Sequence, residues 1–258
     1  MRNTIWFSLL KVSPPFFRSF IYDESLYWSP ENLGESIVNF VNSYAVLDYL
    51  PNLTTYDSSA PSALFLTNEL IHDAIFLQYP DYAPAAKISN IGNKKYSYSK
   101  DYHANNAFFL KFGEYLEVLK ENGVYDNTRI IIAADHGSSV DAGIDGEAPF
   151  LGDRIERWNP LLLVKDFNSR GPLTIDMTFM TNADIPVIAS EKILSKPVNP
   201  FTGKLLTMEP KKNGVTITNN RGFMPYNHSK NTFNITSDQW FRVHDTIFDP
   251  SNWSQIKN

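Results

Sequence analysis

The sequence predicts an α/β fold: a mostly parallel sheet sandwiched by helices, followed by a β-rich C-terminal extension. Three observations carry this. Apolar runs at 62–70, 129–134 and 159–167 read as continuous buried strands, the pattern of strands covered on both faces. Stretches with apolar residues at three- and four-residue steps separate them, as helices would. Beyond about Lys196 the texture turns to short runs broken by Asn and Gly, such as "GVTITNNRGF" and "FNITSDQWFRVHDTIFD", which read as hairpins. Residues 1–195 are thus expected to form the α/β domain, and 196–258 an extension of the same globule.

Taken in order, "MRNTIWFSLLKVSPPFF" reads as an amphipathic helix that packs on the domain. Lys11 and Pro14-Pro15 interrupt its apolar patch, which falls short of the roughly 20 residues a membrane span needs. It also lacks the small-residue cleavage site of a signal peptide. Residues 30–50 form a helix expected to end before Pro51. The apolar run 62–70 is expected to be a buried strand leading into His72. Residues 102–122 form a long helix stopped by Gly123. Strand 129–134 runs into Asp135-His136-Gly137, and 159–167 is the next buried strand. A helix follows over 181–194, capped by Thr181 or Asn182, with Pro186 in its first turn.

Composition narrows the function. The 258 residues are 43% hydrophobic, enough for a sizeable core, and the chain is expected to be soluble. A net charge of −5 without a basic stretch argues against nucleic acid as a partner; Lys94-Lys95 and Lys211-Lys212 are most simply expected to be solvated surface. The absence of cysteine excludes disulfides, thiolate ligands and cysteine nucleophiles. No Gly-x-Ser-x-Gly elbow of an α/β hydrolase occurs.

Chemistry is expected at strand ends, where ligands gather in open α/β sheets. An Asp oxygen and a His nitrogen, adjacent at the tip of strand 129–134, suit Zn²⁺ or Mn²⁺, with Mg²⁺ or Ca²⁺ as alternatives. Gly137, without a Cβ, lets the chain turn there. Taken alone, Asp-His-Gly reads sooner as a plain turn, with Asp capping the segment that follows. Asp141, Asp145 and Glu147 follow in a run that lacks the last ligand of an EF-hand loop and reads as a loop beside the site. Arg154 and Arg157 are candidates for pairing with a phosphate or sulfate, against the plainer reading of a solvated face. His228 stands in a polar loop, and His244 on a strand pattern where it packs or faces solvent.

The longer run "ENGVYDNTRIIIAADHG" resembles the alkaline phosphatase superfamily in its sulfatase-like branch. There a helix, a Tyr-Asp-Asn-Thr turn, a buried strand and Asp-His-Gly recur in that order. "LFLTNELIHDAIFLQYPDY" and "NPLLLVKDF…TFMTNADIPVIA" are similar to neighbouring family elements, the last with Asp184-Ile185-Pro186-Val187 where sulfatases carry Asp-x-x-Pro-Thr. Within the branch, the chain looks most like membrane-anchored lipoteichoic acid synthases and phosphoethanolamine transferases. The resemblance covers about residues 60–195.

It implies an alkaline-phosphatase-like sheet and a metal-dependent hydrolase or phosphoglycerol- or phosphoethanolamine-type transferase. The substrates would be anionic cell-envelope lipids or glycans, met at the extracytoplasmic face of a membrane. By position Asp135 and His136 would be metal ligands, and His72 the catalytic histidine at the phosphate or sulfate. Apart from the resemblance, His103 and Arg154 are candidate substrate contacts, although packing or capping is the plainer reading of His103 at a helix start. The family's acidic strand end and nucleophile are missing from residues 1–60: Asp23-Glu24 lead into no nucleophile turn, and "SPPFFR" has its arginine one place late for a formylglycine signature. The sheet is therefore expected to lack its first strand. The nucleophile and membrane spans are expected in an upstream segment of a parent protein, leaving this chain inactive alone. The alternative is a non-catalytic module of the same fold that binds anionic glycan or lipid head groups.

Overall fold

A computed structural model describes residues 2–23, 34–57, 60–138, 147–148, 153–208, 211, 213–218 and 240–256. The chain divides into two compact units, Met1–Asn122 and Gly123–Asn258.

The first unit is helical. Helices α1 (Arg2–Val12) and α2 (Pro15–Tyr22) pack on each other, and α3 (Glu35–Leu53) packs on α4 (Lys100–Glu121). On α3, Phe40, Tyr44 and Leu47 recur at helical spacing and meet Ala104 and Ala107 of α4 in one cluster with Leu70, Leu77 and Tyr82. Lys111 of α4 reaches Asp48 of α3 at 2.7 Å. Pro51 does not end α3, which runs on to Leu53. Side chains take up carbonyls of its last turns, Thr54 Oγ1 donating to Leu50 O and Tyr56 OH to Pro51 O, both at 2.8 Å. Gly123, at φ +69°, stops α4 as expected.

Two expectations fail here. Residues 62–70 are not a strand but an irregular segment, with Phe65 91% and Leu64 64% exposed. Nor does the N-terminal apolar patch bury itself on the domain. Of α2 only Ile21 is buried, while Phe16 and Phe17 face solvent. An apolar run reports that burial would be favourable, not that a surface is there to receive it.

The second unit corrects the fold class. Strand β1 (Ile130–Ala133) pairs antiparallel with β4 (Leu162–Lys165), in register from Ile130 opposite Lys165 to Ala133 opposite Leu162. Between them, β2 (Glu147–Ala148) and β3 (Asp153–Arg154) form a short antiparallel ladder, followed by a 3₁₀ turn at Ile155–Trp158. Helix α5 (Ile185–Ser190) follows a 3₁₀ turn at Asn182–Asp184. Strands β5 (Val215–Thr218), β6 (Trp240–Val243) and β7 (Trp253–Gln255) make an antiparallel sheet in that order, in keeping with the hairpin texture of the tail. No strand pair among the described residues is parallel, so the architecture is mixed α+β rather than a parallel α/β sandwich. The segment between β1 and β4 is long enough for a crossover, but among its described residues there is no α-helix to make one. The core of this unit joins Ile155 to Phe241, Val243 and Trp253, so the tail is packed against the middle of the unit.

Candidate functional site

The Asp-His-Gly turn leaves the end of β1 under tight backbone control. Ala134 N donates to Leu161 O and Gly137 N to Arg157 O, both at 2.9 Å. A Cβ on Gly137 would lie 1.8 Å from Glu156 O, so glycine is required by close approach of two backbones. Asn182 completes the clamp, its Nδ2 donating to Ala134 O at 3.1 Å and to Asp135 O at 2.9 Å. Thr181 and Asp184 fix Asn182 in turn through a capping box. Asp184 is buried, which opposes its charge; Lys211 at 2.7 Å and Thr181 outweigh that and hold its carboxyl below the usual carboxylate range. Asp184, matched above to a sulfatase element, therefore acts here as a brace for this turn.

The two side chains at the tip stay accessible, Asp135 89% and His136 66% exposed. His136 Nδ1 lies 2.8 Å from Gly137 O. A carbonyl can only accept, so Nδ1 carries a proton, and in the neutral ring Nε2 presents its lone pair. That Nε2 lies 3.7 Å from Asp135 Oδ2. Two donors on one tetrahedral zinc are about 3.3 Å apart, so a small movement brings both onto one divalent ion. The backbone bond to Nδ1 is the orienting contact that metal-bound histidines ordinarily make. The pair thus fits two ligand positions. Among the described residues no third His, Cys, Asp or Glu joins them, whereas catalytic zinc ordinarily has three protein ligands.

Beside the pair opens a cavity of about 410 Å³, with Trp158, Phe179, Ile217 and Trp253 in its walls and Asp135, His136, Arg157 and Asn182 among its polar lining. Trp158 Nε1 is buried without a hydrogen-bond acceptor among the described residues. Its ring meets Trp253 edge-on, centroids 6.0 Å apart.

The remaining candidates lie elsewhere. Both His72 and His103 belong to the first unit, whereas Asp135 and His136 belong to the second. His72 is 77% exposed, 3.7 Å from Asp73, in a cleft of about 450 Å³ with Lys100 and Asp101. His103 is fully buried with both ring nitrogens engaged: Leu77 N donates to Nδ1 at 3.1 Å, and Nε2 donates to Ser97 O at 2.8 Å. It ties the 77–97 loop to α4 and has no ring nitrogen left for a substrate. The backbone of Arg154 lies opposite Glu147 in the short ladder; the side chains of both, together with Asp141, Asp145, Glu24 and His228, lie outside the described residues. His244 pairs with Asp245 at 2.8 Å. The residue that sequence reasoning missed is Asn182, noted only as a helix cap. Nothing local marks its reach to a turn so far back in the chain.

Compared with protein-family models, curated proteins and solved structures, the chain matches none.

Proposed function

We propose that this chain is part of a metal-dependent phospho- or sulfo-ester hydrolase, or a phosphoglycerol- or phosphoethanolamine-type transferase, working on anionic cell-envelope lipids or glycans. One observation carries the reading: His136 Nε2 lies 3.7 Å from Asp135 Oδ2 on an exposed tip, with Nδ1 held 2.8 Å from Gly137 O. The likeness of "GVYDNTRIIIAADHG" to sulfatase-like proteins supports it at the level of sequence. The antiparallel pairing of β1 and β4 lends it nothing, and the proposal does not lean on the family's sheet.

Asp135 and His136 would hold a divalent ion, Zn²⁺ or Mn²⁺ by donor type. Bound there, the ion would supply Lewis-acid polarisation of a phosphoryl or sulfuryl oxygen. The chain's own contributions are narrower. Gly137 O holds a His136 proton at Nδ1, Asn182 holds the turn, and the apolar walls beside the pair offer a surface to the uncharged part of a bound ester. No residue here is assigned as nucleophile.

The test is metal retained after dialysis of the purified chain against Zn²⁺ or Mn²⁺. Asp135→Ala and His136→Ala should each lower retention about tenfold or more. Retention equal to the parent chain in both variants would sink the metal role.

The lack of a third ligand among the described residues favours a second reading, a non-catalytic module binding anionic head groups. Binding of a sulfated or phosphorylated glycan that survives a chelator would favour that module over the enzyme.

A further inference from the structure

We infer that α1 and α2 form a surface that docks on an anionic lipid bilayer, lying in its interface without crossing it. The inference is independent of the metal reading. On α1, Ile5, Leu9 and Val12 stand at i, i+4 and i+7, one stripe of the helix, and are 65%, 42% and 79% exposed. On α2, Phe16, Phe17 and Phe20 occupy an arc of about 100° and are 74%, 51% and 61% exposed. Two adjoining helices thus present large apolar side chains to solvent, a concentration that marks an interaction surface.

Charge identifies the occupant. Residues 2–22 carry Arg2, Lys11 and Arg18 and no acidic residue, in a chain whose net charge is −5. Within the two helices the charged side chains are thus all basic, with Asp23 closing α2, whereas the chain as a whole is acidic. Aromatic and aliphatic side chains with Lys and Arg alongside are the makeup of helices that sink into the headgroup boundary of anionic membranes. Spanning is excluded by length: no helix among the described residues is long and apolar enough to cross. The joint between the helices is fixed rather than loose. Ser13 Oγ donates to Leu9 O at 2.7 Å and Arg18 Nε to Ser13 O at 3.1 Å, so the turn joining the two helices is tied to both of them.

The experiment is co-sedimentation of the full chain with vesicles of phosphatidylcholine alone or mixed with phosphatidylglycerol. Binding is expected to the mixed vesicles, weakened by added salt as headgroup attraction is screened. Lys11→Glu with Arg18→Glu should weaken it more than about tenfold, and Phe16→Ser with Phe17→Ser by a similar factor. All four positions are exposed, and circular dichroism checks that each variant keeps its helices. Absence of binding to the mixed vesicles overturns the inference, as does binding that ignores both lipid charge and the charge-reversal variant. So does a dimer, seen by light scattering, that Phe16→Ser with Phe17→Ser dissolves while vesicle binding is unchanged, since a second copy would then cover the face.

Discussion

Gly137 and His103 show how much one residue can carry for opposite reasons. At Gly137 the absence of a side chain is what matters, since a methyl group would meet the Glu156 carbonyl 1.8 Å away. Gly137→Ala should cost about 1–3 kcal/mol, read as a lower urea midpoint at unchanged slope, because the obstacle is backbone and cannot swing aside. At His103 the side chain is everything. His103→Ala leaves the buried Leu77 N–H without an acceptor, about 1–3 kcal/mol before any cavity is counted. His72→Ala, at a side chain 77% exposed, should move stability by no more than about 0.5 kcal/mol. Equal melting shifts for the two histidine variants would contradict these assignments. The packing role of His103 was legible in the sequence from its place at a helix start. Its partners were not, because they sit in a loop whose path no local pattern encodes.

At the scale of elements, the second unit is held by charge placed at element ends. Arg129, only 5% exposed, binds Asp166 Oδ1 at 2.7 Å and donates through Nη1 to Ile188 O at 2.7 Å, closing the last carbonyls of α5. Lys192 and Arg129 beside Asp166 hold its carboxyl well below the usual carboxylate range. A carboxyl depressed on folding adds stability that is whole above its unfolded value, about 3.9, and is lost as pH falls through the folded value. Asp166→Asn should therefore melt lower than the parent chain at neutral pH, and the gap should narrow below about pH 4. A gap independent of pH would remove Asp166 from the linkage. Helix periodicity was readable because it is internal to each helix: α4 and its glycine stop appear as expected. Strand direction was not, since the run Ile130–Ala134 is equally apolar beside a parallel or an antiparallel neighbour. Burial of 62–70 failed because an apolar run does not encode the surface that would have to receive it.

Across the whole molecule, apolar exposure and net charge act against each other. Solvent-facing Phe65, Leu173 and Ile175 add to the exposed apolar side chains of α1 and α2. A charge of −5 at neutral pH keeps copies apart. That protection vanishes near the isoelectric point of about 5.5, so light scattering should rise to a maximum there and fall on either side. A flat profile from pH 4.5 to 8 would mean that these side chains do not govern association. The candidate site divides along the same line of legibility. Asp135, His136 and Gly137 are contiguous and could be read together, whereas the clamp and the cavity walls come from segments that only folding assembles.

The clamp itself depends on an uncharged donor. A primary amide, that of Asn182, donates to the two carbonyls behind Asp135, and its residue is exposed to water. Hydrolysis of that amide in an ageing sample replaces the donor with an ionised acceptor facing two carbonyl oxygens, turning attraction into repulsion without altering any residue at the tip. The presentation of Asp135 and His136 thus depends on the neutrality of a side chain that is itself no ligand, 47 residues further along the chain.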